Sequence, residues 1–210
     1  MPSSKLNKVE RDKKIPYLII LASLLLLIAL FIPFRIFSPV LKSEIIYRLN
    51  QKQNNQQLTN ETIPVDSDFS IIIPKISINT KVIKDVDSSN PKQYQQALTQ
   101  GVAHSKSSST PDINGNVFIF AHSAGDWYQA NRYNAVFYLL KKLEKDDQII
   151  LYYNNQKYDY FLTESKIINP QDITYLNPKS SSKQLTLMTC WPPGTTLKRL
   201  IVIAKPRNNN

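Results

Sequence analysis

At 210 residues the chain has room for one membrane segment and one domain of ordinary size, and a hydrophobic content of 42% fits a packed core and excludes a disordered tail. The formal net charge of +10 is spread along the chain without a dense Lys/Arg block, so it points to anionic lipid or wall polymers, and no nucleic-acid partner is expected. The single cysteine, Cys190, excludes an intramolecular disulfide and a four-cysteine zinc site, and leaves either an inert buried thiol or one kept because it is used.

Residues 1–14 hold Lys5, Lys8, Arg11, Lys13 and Lys14 against Glu10 and Asp12. The following run, IPYLIILASLLLLIALFIPF, spans residues 15–34 without a charge. About 20 residues at ~1.5 Å each cover roughly 30 Å, the thickness of a bilayer core. The cationic flank predicts residues 1–14 inside the cell and the rest outside. The bulky exit Phe31-Ile32-Pro33-Phe34 lacks the small-x-small pattern of a cleaved signal, so an uncleaved single-pass anchor is expected. Residues 35–67 read as a juxtamembrane linker, with a short helix over Val40–Leu49 and a polar spacer, QKQNNQQLTN, over Gln51–Asn60.

From Asp68 the pattern changes to short apolar runs separated by turn residues. Ser70–Ile73 and Ile76–Val82 are strand-like, and Pro74 between them marks an edge or a bend. Val117–Ala121 reads as a buried strand leading directly into His122. Asn134–Leu143 reads as a helix capped by Asn134, with Val136, Phe137, Leu140 and Leu143 on one face. Gln148–Tyr153 and Lys157–Thr163 flank Asn154-Asn155-Gln156, a hairpin signal, and their tyrosines (Tyr152, Tyr153, Tyr158, Tyr160) read as strand packing. Leu185–Cys190 and Leu197–Ala204 are the last two strands. Many short strands with one or two helices predict a mostly β domain, a barrel or sandwich, over residues 68–210.

Three residue types in this frame suit acyl transfer. Cys190 ends one predicted strand, Arg199 opens the next about nine residues later, and His122 ends an earlier one. If the last two strands pair, all three reach one edge of the sheet. A thiolate is a strong nucleophile, an imidazole gives and takes a proton near neutrality, and a guanidinium stabilises an oxyanion. Read alone, Cys190 is a small buried hydrophobe, His122 a structural hydrogen-bonder and Arg199 a solvated charge. His104 is the competing histidine, in a Ser-rich loop, considered as a contact to substrate. Thr189 either helps to hold substrate or finishes its strand. No spacing rule assigns Asp126 to orient His122.

The motif Thr186-Leu187-Met188-Thr189-Cys190 resembles the TLxTC signature of sortases. Arg199 stands where that family keeps its arginine, and Gly115-Asn116…His122 resembles its GN…GH segment. Ala121 departs from the usual glycine before the histidine, and Asp146-Asp147 from a common Gly-Asp. The resemblance covers about Asp68–Pro206. It implies an eight-stranded β-barrel behind a transmembrane helix in a bacterial cell membrane, with Cys190, His122 and Arg199 catalytic and no cofactor. It also implies a secreted protein with a C-terminal LPXTG-like sorting signal as donor, and an amine of a peptidoglycan precursor or a pilin lysine as acceptor. Two other readings are a cysteine acyl-transferase acting directly on peptidoglycan and a non-catalytic surface-binding module. The first lacks its SHGC-like motif, and papain-like hydrolases place Cys before His, the reverse of the order here.

Overall fold

The computed structural model describes residues 17, 19–31, 44–45, 48–49, 63–123, 135–175 and 182–207. Residues 1–14, the Gln51–Asn60 spacer, Asn134 and Asp126 lie outside these. The chain divides into two compact units, Met1–Ser38 and Pro39–Asn210. In the first, residues 19–31 are helical and exposed throughout, and among the described residues no helix is long and apolar enough to cross a membrane. In the second, residues 44–45 and 48–49 are helical, within the predicted Val40–Leu49 segment.

Eight strands follow: β1 (Phe69–Ile73), β2 (Ile78–Val86), β3 (Val102–Ser105), β4 (Asn116–Phe120), β5 (Gln148–Tyr153), β6 (Gln156–Ile168), β7 (Gln184–Trp191) and β8 (Lys198–Lys205). They close into a barrel in the order β1-β2-β3-β4-β7-β8-β6-β5, so the expected mostly β architecture is the one found. Closure leaves no edge strand for Pro74, which opens the 3-10 turn Pro74–Ile76 that bends the chain from β1 into β2. Two neighbouring pairs are parallel, β2 with β3 and β4 with β7; the rest are antiparallel.

Helix α1 (Pro91–Leu98) makes the β2-to-β3 crossover. Asn90 caps it by accepting a hydrogen bond from the Gln93 amide, and Pro91 occupies the first turn, where no amide is needed. The chain re-enters the sheet at Gly101, where a Cβ would stand 2.2 Å from the Lys81 carbonyl oxygen, so only glycine lets β3 start this close to β2.

Inside, Ile71, Val102, Ile119, Leu151, Leu187 and Val202 are fully or almost fully buried. Alternation sends Leu185, Leu187 and Thr189 of β7 inward. Met188 and Cys190 point to the opposite face and are half-buried there, and Thr186 on that face is covered, donating to Asn116 Oδ1.

Two expectations change here. The Asn134–Leu143 helix is a turn at 135–137 followed by a 3-10 turn, Tyr138–Lys142. Phe137, Leu140 and Leu143 are all buried, and their spacing of three matches a three-residue turn as well as it matches an α-helix. The Ser-rich loop around His104 is in part strand β3, with His104 inside it.

Candidate active site

The site is built on the outer face of β4, β7 and β8 at one end of the barrel. Cys190 and Arg199 are directly opposed across the antiparallel β7–β8 pair, with Met188 opposite Ile201 one pleat further in. Opposed residues share a face with their Cβ atoms about 4.5–5.5 Å apart, so the register itself places the guanidinium stem beside the thiol. Cys190 is half-buried, as is His122.

His122 arrives from β4, which runs parallel to β7 with Phe120 beside Met188. Beyond the last paired residues the two chains stay joined. The Ala121 amide donates to the Met188 carbonyl at 3.2 Å, and the buried Thr189 hydroxyl donates to the Ala121 carbonyl at 2.8 Å. The His122 carbonyl accepts from the Phe137 amide at 3.2 Å. Thr189 therefore fixes the peptide immediately before His122. Ala121 is not among the positive-φ residues, so the backbone before the histidine requires no glycine. Asp146, by contrast, sits at φ 70°, the left-handed conformation that favours glycine at this point.

A cleft of about 400 Å³ opens over this face. It is lined by Phe120 and Met188 together with His122, Cys190 and Arg199, and reaches down to Ala121 and the buried Thr189 hydrogen-bonded to it. Gly194, Thr195 and Thr196 of the β7–β8 loop close one side, and Ser88 with Tyr94, Gln95 and Leu98 of α1 forms the opposite wall. Tyr94 meets Phe120 edge-on at 6.5 Å between ring centres. The Arg199 Nη1 donates to the carbonyls of Thr196 at 3.2 Å and Lys198 at 3.1 Å, which holds the guanidinium at the loop side of the cleft.

The structure thus brings Cys190, His122, Arg199 and Thr189 to one cleft and leaves His104 out of it. His104 is fully buried beside the Phe69 ring, 5.5 Å away. Its Nε2 lies 3.0 Å from the Ser109 carbonyl and 2.9 Å from Ser108 Oγ. Burial holds its imidazole below the ordinary histidine range. It is a buried hydrogen-bonding histidine, and the substrate contact considered for it has no support in its position. The α1 wall was not anticipated; the Asn90-Pro91 cap was its signal in the sequence. Among the described residues no cluster of three His, Cys, Asp or Glu side chains forms a metal site.

The Sortase domain family model matches residues 71–207. Sortase D of Bacillus subtilis (strain 168) is 28% identical over 136 residues, covering 63% of this chain and 60% of that protein. Sortase A of Listeria monocytogenes is 25% identical over 136 residues, covering 65% of this chain and 54% of its own length. The chain therefore spans less than two thirds of the curated relatives it matches. Among solved structures, sortase A from Corynebacterium diphtheriae superposes with a TM-score of 0.55 at 24% identity, covering 68% of this chain and 61% of that one. A sortase D5 transpeptidase of Clostridium perfringens does so with a TM-score of 0.55 at 23% identity, covering 80% and 94%. These structural likenesses establish a shared fold, and the family match over most of the barrel, cleft residues included, places this chain in the sortase family.

Proposed function

We propose that this protein is a cysteine transpeptidase that cuts an LPXTG-like sorting signal and passes the acyl part, ending in the signal's threonine, to an amine. The observation that carries the reading is the opposition of Cys190 and Arg199 across β7–β8, in a cleft that also holds His122. The Cys190 thiolate attacks the carbonyl carbon of the Thr–Gly bond. The oxyanion so formed lies within reach of the Arg199 guanidinium, whose charge is permanent. As the C–N bond breaks, His122 gives its proton to the leaving glycine amine, and a thioester to Cys190 remains. An incoming amine attacks that thioester, His122 takes the proton back, and the thiolate is released with a new amide bond made.

The donors in this reading are secreted proteins with C-terminal LPXTG-like signals, and the acceptor is an amine of a peptidoglycan precursor or a pilin lysine. The same reading makes residues 15–34 a single-pass anchor, with residues 1–14 cytoplasmic, 35–67 a linker and the catalytic domain outside a bacterial cell. It is supported by helical residues 19–31, which carry leucines and isoleucines on every side with all of them exposed, an arrangement that suits a surrounding lipid.

Incubation with an LPXTG-type peptide and an amine acceptor, followed by mass spectrometry, tests the proposal. Wild type should yield the amide product and an acyl-enzyme on Cys190, and Cys190→Ala neither. Acyl-enzyme in the alanine variant would sink the assignment. A wild type that modifies peptidoglycan stems but no sorting peptide would favour the direct peptidoglycan acyl-transferase.

A further inference from the structure

The wall of the cleft opposite β7 hangs from a distortion in β2. Between Ile83 and Val86 the pairing of β2 with β3 slips register, and within that bulge Asp85 sits at φ 58°. Three residues later Ser88 is already in the cleft lining, and Asn90 caps α1, which supplies Tyr94, Gln95 and Leu98. The connection is stiff. The Lys106 amide donates to the Val86 carbonyl at 3.0 Å, and the Asp87 amide donates to Gln93 Oε1 at 3.3 Å, tying the end of β2 to α1 itself.

Behind the bulge lies His104, a histidine that the proposed chemistry does not use. Its hydrogen bonds define one tautomer. The Ser109 carbonyl, 3.0 Å from Nε2, only accepts, so Nε2 carries the proton. Ser108 Oγ donates to the Ser105 carbonyl at 2.8 Å and receives the Phe118 amide at 3.2 Å, and so stands opposite Nε2 as a second acceptor. Nδ1 is then bare, and the Asp85 amide points at it from 3.4 Å. The charged groups facing the ring among the described residues are Asp85, whose Oδ1 is 3.7 Å from Nδ1, and Lys84, both on β2. β1 contributes the Phe69 ring, and the segment after β3 contributes hydroxyls and carbonyls.

We propose that His104 is a proton-operated latch on the cleft wall, closed when its Nδ1 accepts the Asp85 amide and opened when a proton from solvent occupies Nδ1. With that proton in place two N–H groups face each other, and the bond to the bulge is lost. The acceptor on offer is the Asp85 carboxylate, and reaching it turns the bulge from which Ser88 and α1 follow. Burial keeps the neutral form in place at neutral pH, and the protonated, open form is reached on acidification. The consequence for substrate binding rests on the reading of this cleft as the substrate site; the coupling of His104 to the wall does not.

The test uses the full chain in detergent micelles and amide-resolved NMR between pH 8 and pH 5. The chain has only two histidines, so a His122→Ala background leaves His104 as the one imidazole. The Ser88–Leu98 amides should shift with the same midpoint as the His104 ring, and the shift should vanish in His104→Gln. Should that variant fail to fold, Asp85→Asn serves instead. Loss of the carboxylate's negative charge should lower the His104 midpoint, and the Ser88–Leu98 shifts should follow it down. Titration confined to Asp85 and Ser109, or a ring that does not titrate before the chain unfolds, overturns the latch. Coupled shifts together with a wild-type chain that turns over no sorting peptide would keep the latch and reject the functional reading instead.

Discussion

The sharpest question at the level of single residues is what Arg199 contributes beyond its place in the register. Its Nη1 donates to the Thr196 and Lys198 carbonyls, so the guanidinium plane is held by the β7–β8 loop while it lines the cleft. If it steadies the oxyanion, Arg199→Ala should lower kcat by about 10²–10³-fold and raise KM much less. Arg199→Lys should recover little, because an ammonium does not reproduce a planar fork of donors held at two carbonyls. Steady-state kinetics with an LPXTG-type peptide decide the matter, and an unchanged kcat removes Arg199 from the catalytic set. Cys190 and Arg199 stood out in the sequence through the Thr186–Cys190 motif, whereas their direct opposition did not, because the six-residue connection 192–197 allows other registers and the β7–β8 ladder selects this one. His104 was legible only as a second histidine. Its burial depends on contacts with β1 and β2, neither local in sequence, and the nearby Ser108–Ser109 segment folds back over the ring only once β3 is in the barrel. Thr189 was ambiguous for the opposite reason. Alternation turns its side chain inward, to the Ala121 carbonyl, while its neighbour Cys190 faces the cleft.

At the level of elements, strands were read more faithfully than helices. The β5–β6 hairpin shows why. Tyr153 pairs with Gln156, leaving a two-residue loop, and Asn154 and Asn155 take φ 49° and 61°, the left-handed pair a type I′ turn requires. Their amides donate to the carbonyls of Asp68 and Ser67, both at 3.0 Å, so the turn also anchors the chain as it enters β1. Asn155→Gly keeps that amide and removes the steric cost of the left-handed backbone. It should raise stability by roughly 0.5 kcal/mol, or about 1–2 °C in Tm. Asn155→Val, β-branched where φ is positive, should lower stability by about 1–2 kcal/mol. Thermal unfolding of the two variants checks the signs, and a stabilising valine would contradict the turn assignment. Helix α1 escaped the apolar-period reading because PKQYQQAL buries only Ala97 and Leu98. It is specified by its Asn90 cap and Pro91, and its packing on the sheet supplies the rest.

For the whole molecule, closure of the barrel is the feature from which the site follows. β1 lies between β2 and β5 in the circular order, and it is the strand that joins the two ends of the sheet. Ile71 and Ile73 are fully buried within the core cluster, and β5 exchanges its ladder with Phe69–Ile72 on that side. Nothing in this circuit comes from residues 1–38, which form a compact unit of their own. A chain cut to Pro39–Asn210 should therefore fold without detergent, give a β-dominated circular dichroism spectrum and unfold in one cooperative step. A chain cut further, to begin at Ile78, loses β1. Its β2 and β5 ladders are then open, and the interior that held Ile71 and Ile73 is exposed to water. Burying one such side chain stabilises a protein by about 1.5–3 kcal/mol, and β1 buries Phe69, Ile71, Ile72 and Ile73, so the loss of the strand is comparable to the whole ~5–15 kcal/mol that holds a domain folded, before the two open edges are added. The shorter chain should show no cooperative transition and should associate through its edges on gel filtration. Cys190, His122 and Arg199 are all present in both pieces, which makes the comparison a test of architecture. Peptide turnover by the Ile78–Asn210 piece would show that the outer face of β4, β7 and β8 needs no closed barrel beneath it.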